Sequence, residues 1–343
     1  MRKYAILFAG QGAQKPGMGI SLYDTSLAAR AVFDEAGDDI KFDCFEADAE
    51  RLRQTEVTQP AVYTVDIAAY AALYEELGTG DSFPEPAGVA GFSLGEYAAF
   101  TAAGVIGSLE TGLELVRKRS LLMKAAGTDP DGNRRGAMAA GMGTKEAVLA
   151  LVEKARGGGI LEAVNFNSPQ QTVVAGDMAA VERFEALAKE GRSSGVKAIP
   201  LSVSGAFHSP IMRPAAEGLA EALADYTFGE PVIPVYLNAT GRPFDEFKVK
   251  SAEDNDSTGE MDSAAGTDAK VKAVMASQIQ SPVQWQKTIE SMAGDGIDFF
   301  IEVGPGKTLS GLVKKIAPGL TALHAEDAES LAEAVAALRE AQR

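Results

Sequence analysis

Residues Gly88-Val89-Ala90-Gly91-Phe92-Ser93-Leu94-Gly95-Glu96-Tyr97-Ala98-Ala99-Phe100 run from a short apolar strand, through a Gly-x-Ser-x-Gly turn, into a helix. Glycine two places away on each side of Ser93 permits a tight turn that thrusts the hydroxyl outward and leaves room for a substrate. Ser93 is therefore the candidate nucleophile. It also lies near a helix N-terminus, where unpaired N–H groups and the helix dipole favour the negative charge on a carbonyl oxygen under attack. In a chain with 36 glycines the bare pattern also arises by chance. The strand before it and the helix after it are what set this copy apart.

Strand-like and helix-like stretches alternate around this unit: a strand at 4–9, helices through 28–37 and 60–76, a strand at 87–91 and helices from 95 to 126. That alternation predicts an α/β fold with a mostly parallel sheet. Thr128-Asp129-Pro130-Asp131-Gly132-Asn133 is a clear break. Beyond it come a strand at 136–142, a helix at 145–156, strands near 160–164 and 172–176, a helix at 178–190 and a strand at 197–201. This is the ferredoxin-like order. Residues 130–203 are thus expected to form a small inserted subdomain, with 1–129 and 204–343 making the large one. The return leg reads as strand 232–237, helix 271–293, strand 298–303 and helix 328–341. Between them, 245–268 is dense in Ser, Asp, Glu, Gly and Thr, and is expected to be a flexible surface insertion without a catalytic part.

The formal net charge of −16 argues against nucleic acid, which needs clustered Lys and Arg. No apolar run approaches the ~20 residues of a membrane span, and the short N-terminal apolar stretch runs into Gly10-Gln11-Gly12, so it reads as a first buried strand. The single cysteine, Cys44, rules out an internal disulfide and fits a reducing cytoplasm. With only two histidines, His208 and His324, a histidine-rich metal site is excluded.

A serine hydroxyl needs a base. His208, in the small-residue segment Ser204-Gly205-Ala206-Phe207-His208-Ser209-Pro210, could project into a cleft. His324, near the C-terminus, is where an α/β-hydrolase puts its base. The loop Phe8-Ala9-Gly10-Gln11-Gly12-Ala13-Gln14 lacks both the Lys-Ser/Thr of a P-loop and the dinucleotide spacing; it could instead offer a second N–H to an oxyanion.

Seven segments taken together resemble one family. Phe8-Ala9-Gly10-Gln11-Gly12-Ala13-Gln14, Thr58-Gln59-Pro60-Ala61, Gly91-Phe92-Ser93-Leu94-Gly95-Glu96-Tyr97, Arg119 in Val116-Arg117-Lys118-Arg119-Ser120, Asn165-Phe166-Asn167-Ser168-Pro169, Gly205-Ala206-Phe207-His208-Ser209 and Ile301-Glu302-Val303-Gly304-Pro305-Gly306 occur in the order found in malonyl-CoA:acyl carrier protein transacylases. The resemblance covers nearly the whole chain. It implies a large α/β-hydrolase-like subdomain carrying the inserted ferredoxin-like one. It also implies a Ser93–His208 dyad with no acidic third member, and an oxyanion hole of the Gln11 and Leu94 N–H groups. Arg119 would grip the substrate's free carboxylate, and the Gln278 backbone carbonyl would orient His208. Two departures stand out: Phe92 occupies a position often held by histidine, and the 245–268 insertion is longer than expected. Arg117, two residues before Arg119, would face elsewhere on a helix.

The implied reaction moves malonyl from malonyl-CoA to the phosphopantetheine thiol of acyl carrier protein through malonyl-Ser93. It would supply fatty-acid elongation in the cytoplasm with no metal or redox cofactor, and the chain is expected to be a monomer. The carrier is acidic, so docking would need a local basic patch drawn from Arg117, Lys118, Arg134, Arg135, Lys314 and Lys315. Two alternatives remain: a serine esterase or thioesterase using Ser93 and His324, and a non-catalytic carrier-binding module.

Overall fold

A computed structural model describes residues 2–78, 83–190, 195–247 and 266–343. The chain opens with β1 (Lys3–Phe8), followed by α1 (Ile20–Thr25), α2 (Leu27–Ala36), α3 (Asp38–Phe45) and α4 (Thr55–Leu77). β2 (Gly88–Gly91) leads into α5 (Gly95–Ala102) and α6 (Leu109–Ala126). Then come β3 (Gly136–Met142), α7 (Lys145–Arg156), β4 (Leu161–Ser168), β5 (Gln171–Asp177), α8 (Met178–Glu190) and β6 (Lys197–Pro200). The return leg is α9 (Arg213–Leu223), β7 (Val235–Tyr236), α10 (Thr267–Gln278), α11 (Trp285–Gly294), β8 (Ile297–Val303), α12 (Thr308–Ile316), β9 (Thr321–Ala325) and α13 (Ala328–Ala341).

The first sheet has the order β7-β2-β1-β8-β9, and every neighbouring pair is parallel. β1 reads as a near-continuous apolar run because it is central and covered on both faces, with Tyr4 to Phe8 all buried. Register aligns Phe8 with Gly91 on one side and with Val303 on the other. The loops after β1, β2 and β8 therefore leave the carboxyl edge side by side, where open α/β sheets hold their ligands. The second sheet, β4-β5-β3-β6, is antiparallel and has the ferredoxin-like order, and all its strands fall inside the expected 130–203 segment. Asn165 of the second sheet bridges to Val283, in the segment between α10 and α11, which ties the small part to the large one.

Helix boundaries differ from the sequence reading at α4 and in the expected 271–293 helix. α4 starts at Thr55 rather than at Pro60, which lies inside the helix. Proline breaks helices by removing a donor, but Val57, Thr58, Gln59 and Ala61 are all buried here, and packing overrides local propensity. The helices expected from 95 to 126 are α5 and α6, parted by a turn at Ala103–Gly104. The expected 271–293 helix is α10 and α11, because Pro282 lies in the gap between them and cannot donate to a continuous ladder. Of the predicted 245–268 insertion, 248–265 lie outside the described residues. Cys44, on α3, is fully buried under α4 and directs its thiol at the Ala61 carbonyl, 3.6 Å away.

Candidate active site

Ser93 follows β2 directly and opens the turn into α5 with φ of 52°. A side chain with positive φ is held there only when its surroundings over-determine it. The flanking glycines do so by close approach. A Cβ on Gly91 would lie 1.9 Å from the Gly95 carbonyl carbon, and one on Gly95 would lie 2.3 Å from the Phe8 carbonyl oxygen. The strand end, the helix start and the end of β1 are thus in backbone contact, and the serine is the residue left projecting.

His208 comes to Ser93 from the loop before α9, with its backbone N–H bonded to the Ile279 carbonyl at 3.1 Å. Its Nε2 lies 2.8 Å from Ser93 Oγ. Its Nδ1 lies 3.0 Å from the Gln278 carbonyl and 3.1 Å from the Ser281 carbonyl. Both of those partners only accept, so Nδ1 carries the proton and Nε2 presents its lone pair to the serine. The Gln278 carbonyl is within reach because α10 ends there, and the Ser281 carbonyl lies in the turn that follows. Burial, and secondarily the nearby Arg119 charge, push the His208 pKa down to about 4, so the ring is neutral at physiological pH.

Arg119, on α6, is only 1% exposed. Its Nη1 donates to Gln59 Oε1 at 2.8 Å, and its Nη2 donates to Ser93 Oγ and to Gln278 Oε1, both at 3.1 Å. Its Nε has no partner among the described residues. The guanidinium carbon also sits 5.4 Å from the Tyr97 ring centre. Arg117 points away, half exposed and paired with Asp39 at 2.8 Å. Leu94 follows Ser93 and Gln11 lies in the loop after β1, and neither backbone N–H is spent on a protein acceptor among the described residues.

A cavity of about 490 Å³ opens between the two sheets and reaches Phe92, the residue before Ser93. Gln11, Phe92 and Leu312 line it from the large part, and Asn165, Asn167 and Leu201 from the small one. This is an ordinary size for a small-molecule site. Phe92 packs edge-on to Trp285 at 5.4 Å, so it forms wall where a histidine would offer a polar ring. The Asn165 and Asn167 Oδ1 atoms are buried and have no partner among the described residues.

His324 does not join the site. It lies on β9, three strand positions from β2, or ~14 Å at the usual spacing. It faces Glu326 instead, at 3.7 Å. Among the described residues no three His, Cys, Asp or Glu side chains cluster to hold a metal, and no helix is long and apolar enough to cross a membrane.

Sequence reasoning missed the groups behind the serine. Glu96, 1% exposed, accepts from the Asn238 N–H at 2.6 Å and Asn238 Nδ2 at 2.9 Å, and from Gln278 Nε2 at 2.6 Å. Asn238 Oδ1 in turn accepts from the Ser93 N–H at 2.7 Å. The signal for Glu96 was available: a carboxylate within an apolar helix start, three residues after the candidate nucleophile. For Asn238 there was none.

Residues 6–335 match the family model described as acyl transferase domain. The chain is 37% identical over 337 residues to the malonyl CoA-acyl carrier protein transacylase of Haemophilus influenzae, covering 96% of this chain and 97% of that one. Its fold superposes with a TM-score of 0.83 on the crystal structure of malonyl CoA-acyl carrier protein transacylase from Clostridium perfringens, at 35% identity over 99% of this chain and 98% of that one. A malonyl-transacylase solved in complex with its type II PKS acyl-carrier protein matches with a TM-score of 0.81 at 32% identity, over 98% and 99% of the two chains. The chain belongs to the acyl transferase domain family and, within it, to the malonyl CoA-acyl carrier protein transacylases.

Proposed function

We propose that this chain moves a malonyl group from malonyl-CoA to the phosphopantetheine thiol of an acyl carrier protein through a malonyl-serine on Ser93. The observation that carries the reading is the Ser93 Oγ to His208 Nε2 contact of 2.8 Å, with Nδ1 held by two carbonyls. His208 takes the Ser93 proton as the oxygen attacks the thioester carbon. The Gln11 and Leu94 N–H groups receive the oxyanion, the C–S bond breaks, and the CoA sulfur leaves with the proton from His208. The carrier thiol then gives its proton to His208, attacks the ester carbon and displaces Ser93, which recovers its proton. Every step exchanges one acyl oxygen or sulfur bond for another, so the reaction as written uses no cofactor. Arg119 pairs with the malonyl carboxylate through donors left over from its two glutamine contacts. The buried acceptors of Asn165 and Asn167 suit the amide N–H groups of a pantetheine arm entering by the cavity. The carrier is that of fatty-acid or polyketide synthesis, and the lone buried thiol suits a monomer working in the cytoplasm.

Intact-mass measurement after mixing with malonyl-CoA tests the reading. One malonyl adduct is expected on the native protein and none on Ser93→Ala. An adduct that persists in the variant would overturn the assignment of Ser93.

A further inference from the structure

Glu96 is surrounded by donors alone. The Asn238 N–H, Asn238 Nδ2 and Gln278 Nε2 all point at its two oxygens, at 2.6 to 2.9 Å, inside a site with no solvent access. Only an ionised carboxylate satisfies three donors without presenting one of its own. Each amide that Glu96 holds has a second face with a different task. The Nδ2 of Asn238 is bound to Glu96 and to the Gly91 carbonyl, so its Oδ1 is left to accept from the Ser93 N–H. The Nε2 of Gln278 is bound to Glu96 and, at 2.7 Å, to the Ser93 carbonyl, so its Oε1 is left to accept from Arg119 Nη2. Glu96 is also the carboxylate whose charge stabilises the buried Arg119 cation.

We propose that Glu96 is a positioning residue for malonyl selectivity: its carboxylate fixes the direction of the Gln278 and Asn238 amides, and through Gln278 it holds Arg119 in the orientation that receives the malonyl carboxylate. The inference rests on Arg119 being that receiver. A glutamine at 96 has one oxygen for three donors, so any orientation sets N–H against N–H in a buried site. The Gln278 amide must then shift or rotate, and Arg119 loses an acceptor or meets a donor in its place. Acetyl transfer, with no carboxylate to place, depends on this arrangement less.

The test is the ratio of kcat/KM for malonyl-CoA to that for acetyl-CoA, measured on native protein, Glu96→Gln, Glu96→Asp and Arg119→Ala. Glu96→Gln is expected to lower the ratio at least tenfold, chiefly through KM for malonyl-CoA, and Glu96→Asp, which keeps the charge, to recover part of it. A folded Glu96→Gln protein whose ratio stays within twofold of native overturns the proposal, whether or not both activities fall together. Should Glu96→Gln not fold, the native protein answers the same question by titration from pH 8 to 5.5. Burial pushes the Glu96 pKa up to about 7, whereas His208 stays neutral and Arg119 charged across that range. Protonating Glu96 places a donor where Gln278 already donates, so the ratio should fall with pH, and a flat ratio overturns the inference. An unchanged ratio in Arg119→Ala shows instead that the carboxylate site itself was misassigned, and the inference falls with it.

Discussion

Among the described residues, Ser93 and His208 are the two non-glycine residues with positive φ, 52° and 63°, and their side chains meet at 2.8 Å. Two strained backbones, 115 positions apart, hold one short contact. Such strain costs about 1–3 kcal/mol per residue and persists only where the surroundings enforce it, here by glycine contacts at Ser93 and by the end of α10 at His208.

Because that contact selects His208 over the other histidine, His208→Ala should slow malonyl loading of Ser93 by roughly 10²–10⁴-fold. His324→Ala should change loading little, since its ring faces Glu326 across the sheet from the serine. Stopped-time adduct measurements distinguish the two. Loss in His324→Ala with retention in His208→Ala would favour the hydrolase reading.

Arg119→Ala should lower malonyl transfer by about 10- to 150-fold, the range set by a charge-assisted hydrogen bond of ~1.5–3 kcal/mol. Acetyl transfer should fall much less. The variant should also melt at lower temperature, because Glu96 is then a buried charge without its cation. Arg119→Lys would not restore selectivity, since an ammonium cannot serve Gln59, Gln278 and a carboxylate with one planar fork. Equal loss on both substrates would count against the assignment.

The base must be neutral to accept a proton, so activity follows deprotonated His208. With acetyl-CoA as donor, the acid limb of kcat/KM should lie near pH 4, not near the 6.5 of a free imidazole. Arg119→Ala removes the smaller of the two causes of the depression and should move the limb upward. The folded ring binds its proton only below about 4 while the unfolded ring binds it below 6.5, so this group's contribution to stability is intact above 6.5 and is lost as pH falls from 6.5 to about 4. The loss is on the order of 3 kcal/mol, readable as a shallower fall in melting temperature for His208→Ala over that window.

Gly95→Ala should destabilise the fold by about 1–3 kcal/mol or more, because its Cβ would meet the Phe8 and Ala9 carbonyl oxygens at 2.3 and 2.6 Å, and backbone cannot step aside as a side chain can. Denaturant unfolding measures it. A variant as stable as native would mean that the helix start stands off from β1.

The βα alternation and the ferredoxin-like order were legible because each strand and helix announces itself locally, as in Tyr4–Phe8 or the stretch from Lys145 to Arg156. Ser93 and His208 were legible for the same reason, from residue type and turn chemistry, and the resemblance chose between the two histidines. The start of α4 was not legible, since the burial that carries Pro60 within a helix comes from distant partners. Nor was Asn238, which meets Glu96 from 142 positions away through hydrogen bonds that leave no periodicity in the chain. Gln278 was named for its backbone carbonyl, yet its amide joins Ser93, Glu96 and Arg119, a task that shows only when α10 stops where it does.

Cys44 has a bearing on fidelity. An acyl group handed from one thiol to another can be intercepted by any third thiol that reaches it, and a mixed disulfide with the pantetheine arm would stall the cycle. The single sulfhydryl of this chain is sealed beneath α4 at zero exposure, with burial pushing its pKa far above the range where a thiolate forms. The protein therefore presents no competing sulfur to either substrate, and alkylating reagents or oxidised carrier should leave the folded enzyme untouched until it opens.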